Sequence, residues 1–199
     1  MKRIECLQVL AELVQPEDLI VTALGGTSAE WHRLRQTDTH YANSCMGANV
    51  PLATGLALAL PHRRVILLDT DGCQLMTMGA LATLGNVQPP NLRIFVFDNG
   101  GYGYTGGQAT ATQGRTDLAG VARAVGVENS TTVHDLVGFE AAARRALSEA
   151  GLTYVVVKID LVAGPGPRDG FRPPTRHEQT TRFMRYVERT ENVQLIAGG

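Results

Sequence analysis

The order of apolar and polar residues predicts a strand, a helix and a second strand between residues 65 and 97. Residues 65–68 and 92–97 form nearly continuous apolar runs, the pattern of parallel strands that are buried on both faces. Between them, apolar residues recur at helical spacing over residues 75–84, and Pro89-Pro90 prevents the helix from continuing. The segment therefore predicts a βαβ unit whose two strands lie parallel in one sheet.

The remaining patterns extend this alternation of helices and strands along the whole chain. Helical periodicity predicts helices over residues 3–14, 29–34, 51–60, 118–125, 135–150 and 178–188, the fifth with Asp135 as its N-cap. Short apolar runs predict strands over residues 19–23, 130–133 and 154–159. Residues 164–174 are rich in proline and glycine, which favours a surface crossing. Together these patterns predict an α/β fold, with a doubly wound parallel sheet in three layers and a single domain over residues 1–199.

Composition and charge narrow the range of partners. The chain has 44% hydrophobic and 19% charged residues and a formal net charge of −1, which gives no reason to expect nucleic acid or a membrane surface as a partner. Its apolar stretches are much shorter than a bilayer span, and the start of the chain does not resemble a secretory signal. The 3 cysteines are widely spaced, which argues against a disulfide framework or a zinc site. We expect a cytoplasmic protein.

Oxygen-bearing side chains follow both strands of the βαβ unit. Asp71 and Asn99 come after the two strands, and the carboxyl ends of parallel strands are where open sheets place their ligands. Carboxylate and amide oxygens suit Mg²⁺, and nearby glycines leave backbone amides accessible to a phosphate. The alternative is structural, with Asp71 as a helix cap and Asn99-Gly100 as a turn. The spacing alone leaves both interpretations open.

A second glycine-rich turn precedes the helix predicted over residues 29–34. Gly25-Gly26-Thr27-Ser28 would present free amides and the positive end of a helix dipole, both favourable to a phosphate. The same residues are also a common helix cap.

These motifs resemble those of thiamine-diphosphate enzymes. Asp71-Gly72 followed by Asn99 is similar to the GDG…N(N) motif, whose Asp, last Asn and a following backbone carbonyl bind Mg²⁺. The chain also has an N-terminal helix, a Gly-x-Ser/Thr turn, a Ser-Cys-Met-Gly segment at residues 44–47 and a Tyr-Gly before a Gly-rich Gln segment. This order resembles the beta subunits of sulfopyruvate decarboxylase and the matching half of phosphonopyruvate decarboxylase. Two positions depart from the pattern, because Thr70 and Ser44 replace glycines.

The resemblance implies a thiamine-diphosphate-binding fold of the diphosphate-binding type and a set of site residues. It implies metal ligation by Asp71, Asn99 and the Gly101 carbonyl. Met46 would support the bent cofactor, although a methionine there could equally fill the core, and the Ser44 carbonyl would accept from the aminopyrimidine. The implied cofactor-binding residues are Gly25, Gly26, Thr27, Ser44, Cys45, Met46, Asp71, Gly72, Cys73, Asn99, Gly101, Tyr102 and Gly103.

The resemblance also implies a missing component. In these enzymes a glutamate on a separate pyrimidine-binding domain activates the cofactor, and this chain has residues for the diphosphate-binding domain only. We therefore expect a pyrimidine-binding alpha subunit as partner in a hetero-oligomer, a homodimer being possible for the chain alone, and we assign no catalytic residue to this chain. Alone, it should bind the Mg²⁺–diphosphate weakly and be inert. The implied substrate is a small anionic 2-oxo acid, for which Arg115, Arg33 and Arg35 are candidate anchors if they are not ordinary surface arginines.

Two other functions remain open. Residues 102–108 also resemble beta subunits of 2-oxo acid:ferredoxin oxidoreductases, although the cysteines typical of those proteins are missing. A non-catalytic binding module of the same fold is the third possibility, which the departures at Thr70 and Ser44 keep open, whereas the missing cysteines make the decarboxylase the preferred one of the two enzymes. The glycine-rich segment 100–114 is predicted to be a mobile loop that wraps the diphosphate with its first half and orders its second half on binding.

Overall fold

The structure is a computed structural model that describes residues 1–161, 171 and 173–196. The helices are α1 (Arg3–Leu13), α2 (Gly26–Leu34), α3 (Asn49–Ala59), α4 (Asp71–Met76), α5 (Gly79–Val87), α6 (Leu118–Ala124), α7 (Leu136–Ser148) and α8 (Arg176–Glu191). The strands are β1 (Leu19–Thr22), β2 (His40–Ala42), β3 (Val65–Thr70), β4 (Leu92–Asp98), β5 (Gly101–Tyr102), β6 (Gln108–Ala109), β7 (Ser130–Val133) and β8 (Thr153–Lys158).

Six of the strands form one parallel sheet in the order β2-β1-β3-β4-β8-β7. The predicted βαβ unit is at its centre, with Val65 paired to Leu92 and Thr70 paired to Phe97. Every residue of β4 is buried, because helices cover both faces of the sheet. The doubly wound α/β fold predicted from the sequence is therefore confirmed.

Two hydrophobic clusters fill the space between the sheet and its helices. On one face, side chains of α3, α5, α6 and α8 pack on the strands around Leu67 and Val96. On the other face, α1, α2 and α7 pack around Leu68 and Phe95, with Trp31 and Phe139 among the largest buried side chains. Successive strand residues therefore feed opposite cores, which makes the three layers.

The strand order reverses beside β1, and this reversal creates the crevice that holds the candidate site. The chain goes from β1 outward to the edge strand β2, then crosses back to β3 on the other side of β1. α2, which follows β1, packs in one layer and α5, after β3, packs in the other, so the segments that follow β1 and β3 diverge at the carboxyl edge of the sheet. Ligand sites of open α/β sheets lie at such switch points.

Several local details differ from the sequence predictions. The single helix predicted over residues 75–84 is two helices, α4 and α5, and the side chain of Thr77 at their junction donates to the carbonyl of Gly47. The strand β2 was not predicted, and α2 begins three residues earlier than expected. The loop predicted over residues 100–114 already contains the antiparallel pair β5–β6 and two short 3-10 helices.

Other predictions have simpler outcomes. Asp135 is the N-cap of α7, its carboxylate accepting from the amide of Gly138 at 2.7 Å. The cysteines are free. None of the described helices combines the length and the apolar character that crossing a membrane requires. The Pro/Gly-rich surface crossing predicted at 164–174 lies almost entirely outside the described residues.

Candidate functional site

A pocket of about 160 Å³ lies at the carboxyl ends of β1, β3 and β4. The residues that follow each of these three strands line it, and those after β4 form a loop that closes one side. Its lining residues are Arg3, Leu24, Gly26, Thr27, Glu30, Met46, Thr70, Asp71, Gly72, Cys73, Asn99, Gly101, Tyr102, Gly103, Tyr104 and Thr105.

The pocket brings together most of the residues singled out in the sequence, from segments far apart in the chain. Asp71 and Asn99, which the sequence places after neighbouring strands, both line it. Of the implied cofactor-binding residues, only Gly25, Ser44 and Cys45 lie outside the lining. Ser44 and Cys45 are exposed beside the pocket, on the segment between β2 and α3.

Asp71 is the buried carboxylate of the pocket. It is 1% exposed, and its Oδ2 accepts from the hydroxyls of Thr110 at 2.7 Å and Thr112 at 3.3 Å. Burial raises the pKa of the Asp71 carboxyl, and the negative charge of Asp98 adds to this, while the Thr110 hydroxyl acts against it. A buried carboxylate of this kind gains from a bound cation, since the cation offsets the cost of burying the charge.

Asp98, the last residue of β4, links this carboxylate to the neighbouring strand. Its Oδ1 accepts from the hydroxyl of Thr112 at 2.7 Å and from the amide of Gly100 at 3.0 Å, and its Oδ2 accepts from the ammonium of Lys158 at 2.5 Å. Asp98 is therefore already neutralised by an ion pair, and it does not line the pocket.

The structural alternative for Asp71 is wrong in one respect, because Thr70 is the residue that caps α4. The Thr70 hydroxyl accepts from the amide of Cys73, and Asp71 is the first helical residue. Thr70 therefore has a local role at the position where the resembling enzymes have glycine. The proposed turn at Asn99 does exist, since Asn99 Oδ1 accepts from the amide of Gly101 at 3.0 Å, and the turn places Asn99 on the pocket wall.

Side chains cover the glycines of the pocket so closely that larger residues would not fit. A Cβ at Gly72 would lie 2.9 Å from the ring of Tyr102, and one at Gly25, whose φ is +86°, would lie 2.9 Å from the ring of Tyr104. Gly72 brings its backbone close to the Tyr102 ring within the lining, and Gly25, which lies outside the lining, does the same for the ring of Tyr104.

A network of buried polar side chains supports the segment that carries Met46. Asp69 accepts from Asn49 at 2.5 Å, and Asn49 accepts in turn from Asn43 at 2.5 Å. Asn43 also bonds both backbone groups of Cys45, at 3.2 Å each. Burial raises the pKa of Asp69 to about 6. The network ties residues 43–46, of which Ser44 and Cys45 are exposed, to the interior of β3.

The thiol of the pocket residue Cys73 differs in setting from that of the exposed Cys45. Cys73 lines the pocket, and burial raises the pKa of its thiol to about 11. A thiol with so high a pKa is protonated at neutral pH and is a poor nucleophile. Met46 also lines the pocket, with its methyl group 3.6 Å from the position of a Cβ on Gly72.

The candidate arginine anchors lie elsewhere. Arg35 donates to the carbonyls of Ala11 and Val14 at the end of α1, and Arg33 packs over the ring of Phe171 at 4.4 Å. Arg115 lines a separate cavity. None of the three lines the described pocket.

Sequence reasoning missed four side chains at the site. Arg3 on α1 and Glu30 on α2 line the pocket, whereas Thr110 and Thr112 in the loop contact Asp71. No strand period relates the two threonines, because Thr110 precedes a short 3-10 helix and Thr112 lies within it. No local sequence pattern identifies Arg3 and Glu30 as pocket residues, because only the packing of two helices brings them together.

Comparison with known proteins identifies the class. Residues 23–157 match the family described as "Thiamine pyrophosphate enzyme, C-terminal TPP binding domain". The chain therefore belongs to the thiamine pyrophosphate (thiamine diphosphate) enzyme family, as its motifs predicted.

Individual relatives are named more specifically than the family. The beta subunit of sulfopyruvate decarboxylase from Methanocaldococcus jannaschii is 33% identical over 158 residues, covering 79% of this chain and 83% of that subunit. Phosphonopyruvate decarboxylase from Streptomyces viridochromogenes is 37% identical over 190 residues, covering 93% of this chain and 46% of that protein. The chain thus spans most of the first relative and about half of the second.

A solved structure supports the fold. Benzoylformate decarboxylase from Polynucleobacter necessarius superposes with a TM-score of 0.72 at 23% identity, covering 83% of this chain and 34% of that chain.

Proposed function

We propose that the chain is the beta subunit of a heteromeric thiamine-diphosphate-dependent decarboxylase acting on a small anionic 2-oxo acid, of the sulfopyruvate or phosphonopyruvate type. The observation that carries this proposal is the convergence of Asp71, Asn99 and the glycine-rich segments on one pocket at the switch point of the sheet. The two curated relatives are named as decarboxylases of these two substrates.

The donor set of the pocket fits Mg²⁺. Asp71 supplies a buried carboxylate, Asn99 an amide oxygen and Gly101 a backbone carbonyl, and hard oxygen ligands of this kind suit Mg²⁺. Mg²⁺ usually completes its coordination with phosphate oxygens and water. The described residues contain no cluster of three or more His, Cys, Asp or Glu side chains that could hold a metal alone, so the ligand set depends on a bound phosphate.

The other wall of the pocket fits a diphosphate. Thr27 is fully buried, and its hydroxyl has no hydrogen-bond partner among the described residues, an arrangement that a phosphate oxygen would satisfy. The N-cap of α2 is Gly25, which offers no side-chain cap, so the first amides of this helix remain available to an anion.

Thiamine diphosphate, when bound, supplies a nucleophilic carbon and an electron sink for the loss of carbon dioxide from a 2-oxo acid. We assign to this chain the binding of the metal and the cofactor. Asp71 and Asn99 hold the metal, Gly26 and Thr27 hold the phosphates, and Met46 supports the cofactor from the adjacent wall.

The activating glutamate is assigned to a partner. The family match over residues 23–157 is to the C-terminal TPP binding domain, and the candidate pocket lies within these residues apart from Arg3. We propose a pyrimidine-binding alpha subunit that supplies the glutamate and completes the site, since the relative from Methanocaldococcus jannaschii is named as a beta subunit. The exposed 44–45 segment beside the pocket is available to such a partner.

Co-expression with a pyrimidine-domain protein from a neighbouring gene tests the proposal. The purified complex should retain thiamine diphosphate and release carbon dioxide from sulfopyruvate or phosphonopyruvate in a panel of 2-oxo acids, whereas the chain alone should not. The matched control is the complex with Asp71→Ala, which should assemble without retaining the cofactor.

Other outcomes point to the other functions. Reduction of ferredoxin in the presence of coenzyme A would favour an oxidoreductase. Absence of turnover with every partner that binds would favour a non-catalytic module and would refute the decarboxylase proposal.

A further inference from the structure

Arg3 is a cation in the pocket that the resemblance did not point to. It is the first residue of α1, and its Nε and Nη2 each donate to a carboxylate oxygen of Glu30 on α2 at 2.9 Å. Both side chains are largely buried, at 20% and 23% exposure. The pair joins two helices that are neighbours in the same layer of the fold.

The guanidinium lies directly on the turn that follows β1. A Cβ at Gly26 would come within 2.2 Å of Arg3 Nη2, so glycine at this position is what admits the guanidinium. Arg3 is therefore next to the backbone at the start of α2 and next to Thr27, whose buried hydroxyl lacks a partner among the described residues.

The charge of the pocket makes this cation important. Of the described lining residues, Arg3, Glu30 and Asp71 are the charged ones, so the lining has a net charge of about −1. An anion entering such a pocket meets two carboxylates and a single cation. Mg²⁺ at Asp71 removes one unfavourable charge, and Arg3 is the group able to attract the anion on the opposite wall.

We infer that Arg3 binds an oxygen of the cofactor diphosphate directly, and that Glu30 is a positioning residue that holds the guanidinium over Gly26. This inference rests on the proposed function, since it names a further ligand for the same cofactor. Glu30 uses one hydrogen of Nε and one of Nη2, and the guanidinium has further N–H donors, on Nη1 and Nη2, for a phosphate. Arginine donors bind tetrahedral oxyanions strongly because the hydrogen bonds are charge-assisted.

The competing interpretation is that Arg3 and Glu30 form only a structural bridge between α1 and α2. In that case Arg3→Gln and Glu30→Gln remove the same ion pair and should have similar effects on stability and on anion binding. If Arg3 is a ligand, the two substitutions have opposite effects on the charge available to the phosphate. The comparison of these two variants therefore separates the two interpretations.

The test measures binding of inorganic diphosphate to the full chain in the presence of MgCl2 by phosphorus NMR, which detects weak as well as tight binding. Arg3→Gln should weaken binding roughly 10- to 100-fold, the usual effect of losing a charged hydrogen-bond donor. Glu30→Gln keeps an amide oxygen that can accept from the guanidinium and removes a negative charge from the pocket, so it should bind as tightly as the parent or more tightly. The double variant keeps the net charge of the parent, and it should still bind weakly because the contact itself is lost.

Arg144→Gln is the matched control. Arg144 forms an exposed ion pair with Glu140 on α7, so its replacement changes the net charge in the same way without touching the pocket. Thermal unfolding of every variant by circular dichroism shows whether the fold is kept. Binding by Arg3→Gln equal to that of the control, or equal losses in Arg3→Gln and Glu30→Gln, would overturn the inference.

The source of the oxyanion is tested with the same variants. Phosphonoacetate and sulfoacetate imitate the acidic end of the candidate substrates, and Arg3→Gln should leave their weak binding unchanged. A loss confined to these two anions would assign Arg3 to the substrate and overturn the cofactor contact. Failure of the complex with the pyrimidine-domain partner to bind diphosphate with Mg²⁺ would instead refute the proposed function, and the inference with it.

Discussion

Replacing Thr110 by valine tests whether the loop after β4 tunes the candidate metal ligand. The Thr110 hydroxyl lies 2.7 Å from Asp71 Oδ2. Thr110 is only 4% exposed, so this hydrogen bond is shielded from water. Valine has nearly the same shape as threonine, and the backbone amide of Thr110, which donates to the carbonyl of Gly100 at 2.9 Å, is unaffected. The substitution therefore removes one donor from the carboxylate, together with the hydrogen bond between the hydroxyls of Thr110 and Thr112 at 2.9 Å.

The expected effect follows from the chemistry of that donor. A hydrogen bond to a charged group contributes about 1.5–3 kcal/mol, and loss of a partner that orients a metal ligand typically reduces metal affinity about 10- to 100-fold. Thr112 does not compensate, because its single hydroxyl hydrogen is shared with Asp98, which is closer at 2.7 Å against 3.3 Å for Asp71. We therefore expect Mg²⁺ to bind Thr110→Val roughly 10- to 100-fold more weakly than the parent.

The chain contains a convenient reporter for this measurement. Its 1 tryptophan, Trp31, is buried on α2, the helix that begins at the pocket. Titration of Mg²⁺ at a fixed concentration of thiamine diphosphate, followed by tryptophan fluorescence, gives the apparent metal affinity. Thr110→Ser is the control, since it keeps the hydroxyl and should bind nearly as well as the parent. Equal affinities for the serine and valine variants would refute the reasoning.

Three further predictions concern the site and the stability of the fold. Asp71→Ala should abolish Mg²⁺-dependent retention of thiamine diphosphate in the reconstituted complex, and unchanged retention measured by phosphorus analysis would contradict the metal assignment. Burial lowers the pKa of His40 to about 3, so its neutral form stabilises the fold above pH 6.5 and about 2 kcal/mol should be lost between pH 7.5 and 5. The raised pKa of Asp69, about 6, has the opposite effect on stability, because its protonation in the folded protein stabilises the fold as the pH falls. The free energy of unfolding in urea is therefore measured at both pH values for the parent and for His40→Gln, and the variant should lose less of it on acidification. Gly85→Ala should destabilise by about 1–3 kcal/mol, because its Cβ would lie 1.8 Å from a carbonyl oxygen at the end of α6, whereas Gly55→Ala on open helix surface should stabilise slightly; equal melting temperatures would contradict this.

Two aspartates close together in the sequence have different roles, one in the structure and one at the site. Asp69 and Asp71 are two positions apart, and both are 1% exposed. Asp69 accepts hydrogen bonds from the side chains of Asn49 and Gln74 inside the fold, whereas Asp71 lines the pocket. Asp69 lies within β3, whereas Asp71 is the first residue of α4, and this change of element sends their side chains to different surroundings, which the sequence pattern alone did not reveal.

The sequence by itself determined the sheet and the approximate place of the site. Buried parallel strands require long apolar runs, and the runs at 65–68 and 92–97 are a local property that can be recognised without knowledge of contacts. Once the two strands are parallel neighbours, Asp71 and Asn99 must lie at the same edge of the sheet. The family resemblance was equally accessible, because its motifs are short and their spacing is fixed by this βαβ unit.

Only the tertiary structure decided which side chains surround Asp71 and which cation enters the pocket. Thr110 reaches Asp71 across 39 positions of the chain, and Arg3 reaches Glu30 across 27, so no helical or strand period relates them. The arginines that the sequence offered as anchors instead bond helix ends, cover an aromatic ring or line another cavity. Periodicity reports which face of an element is buried, whereas contacts between elements depend on loop paths and helix packing, and these are settled only when the whole chain folds.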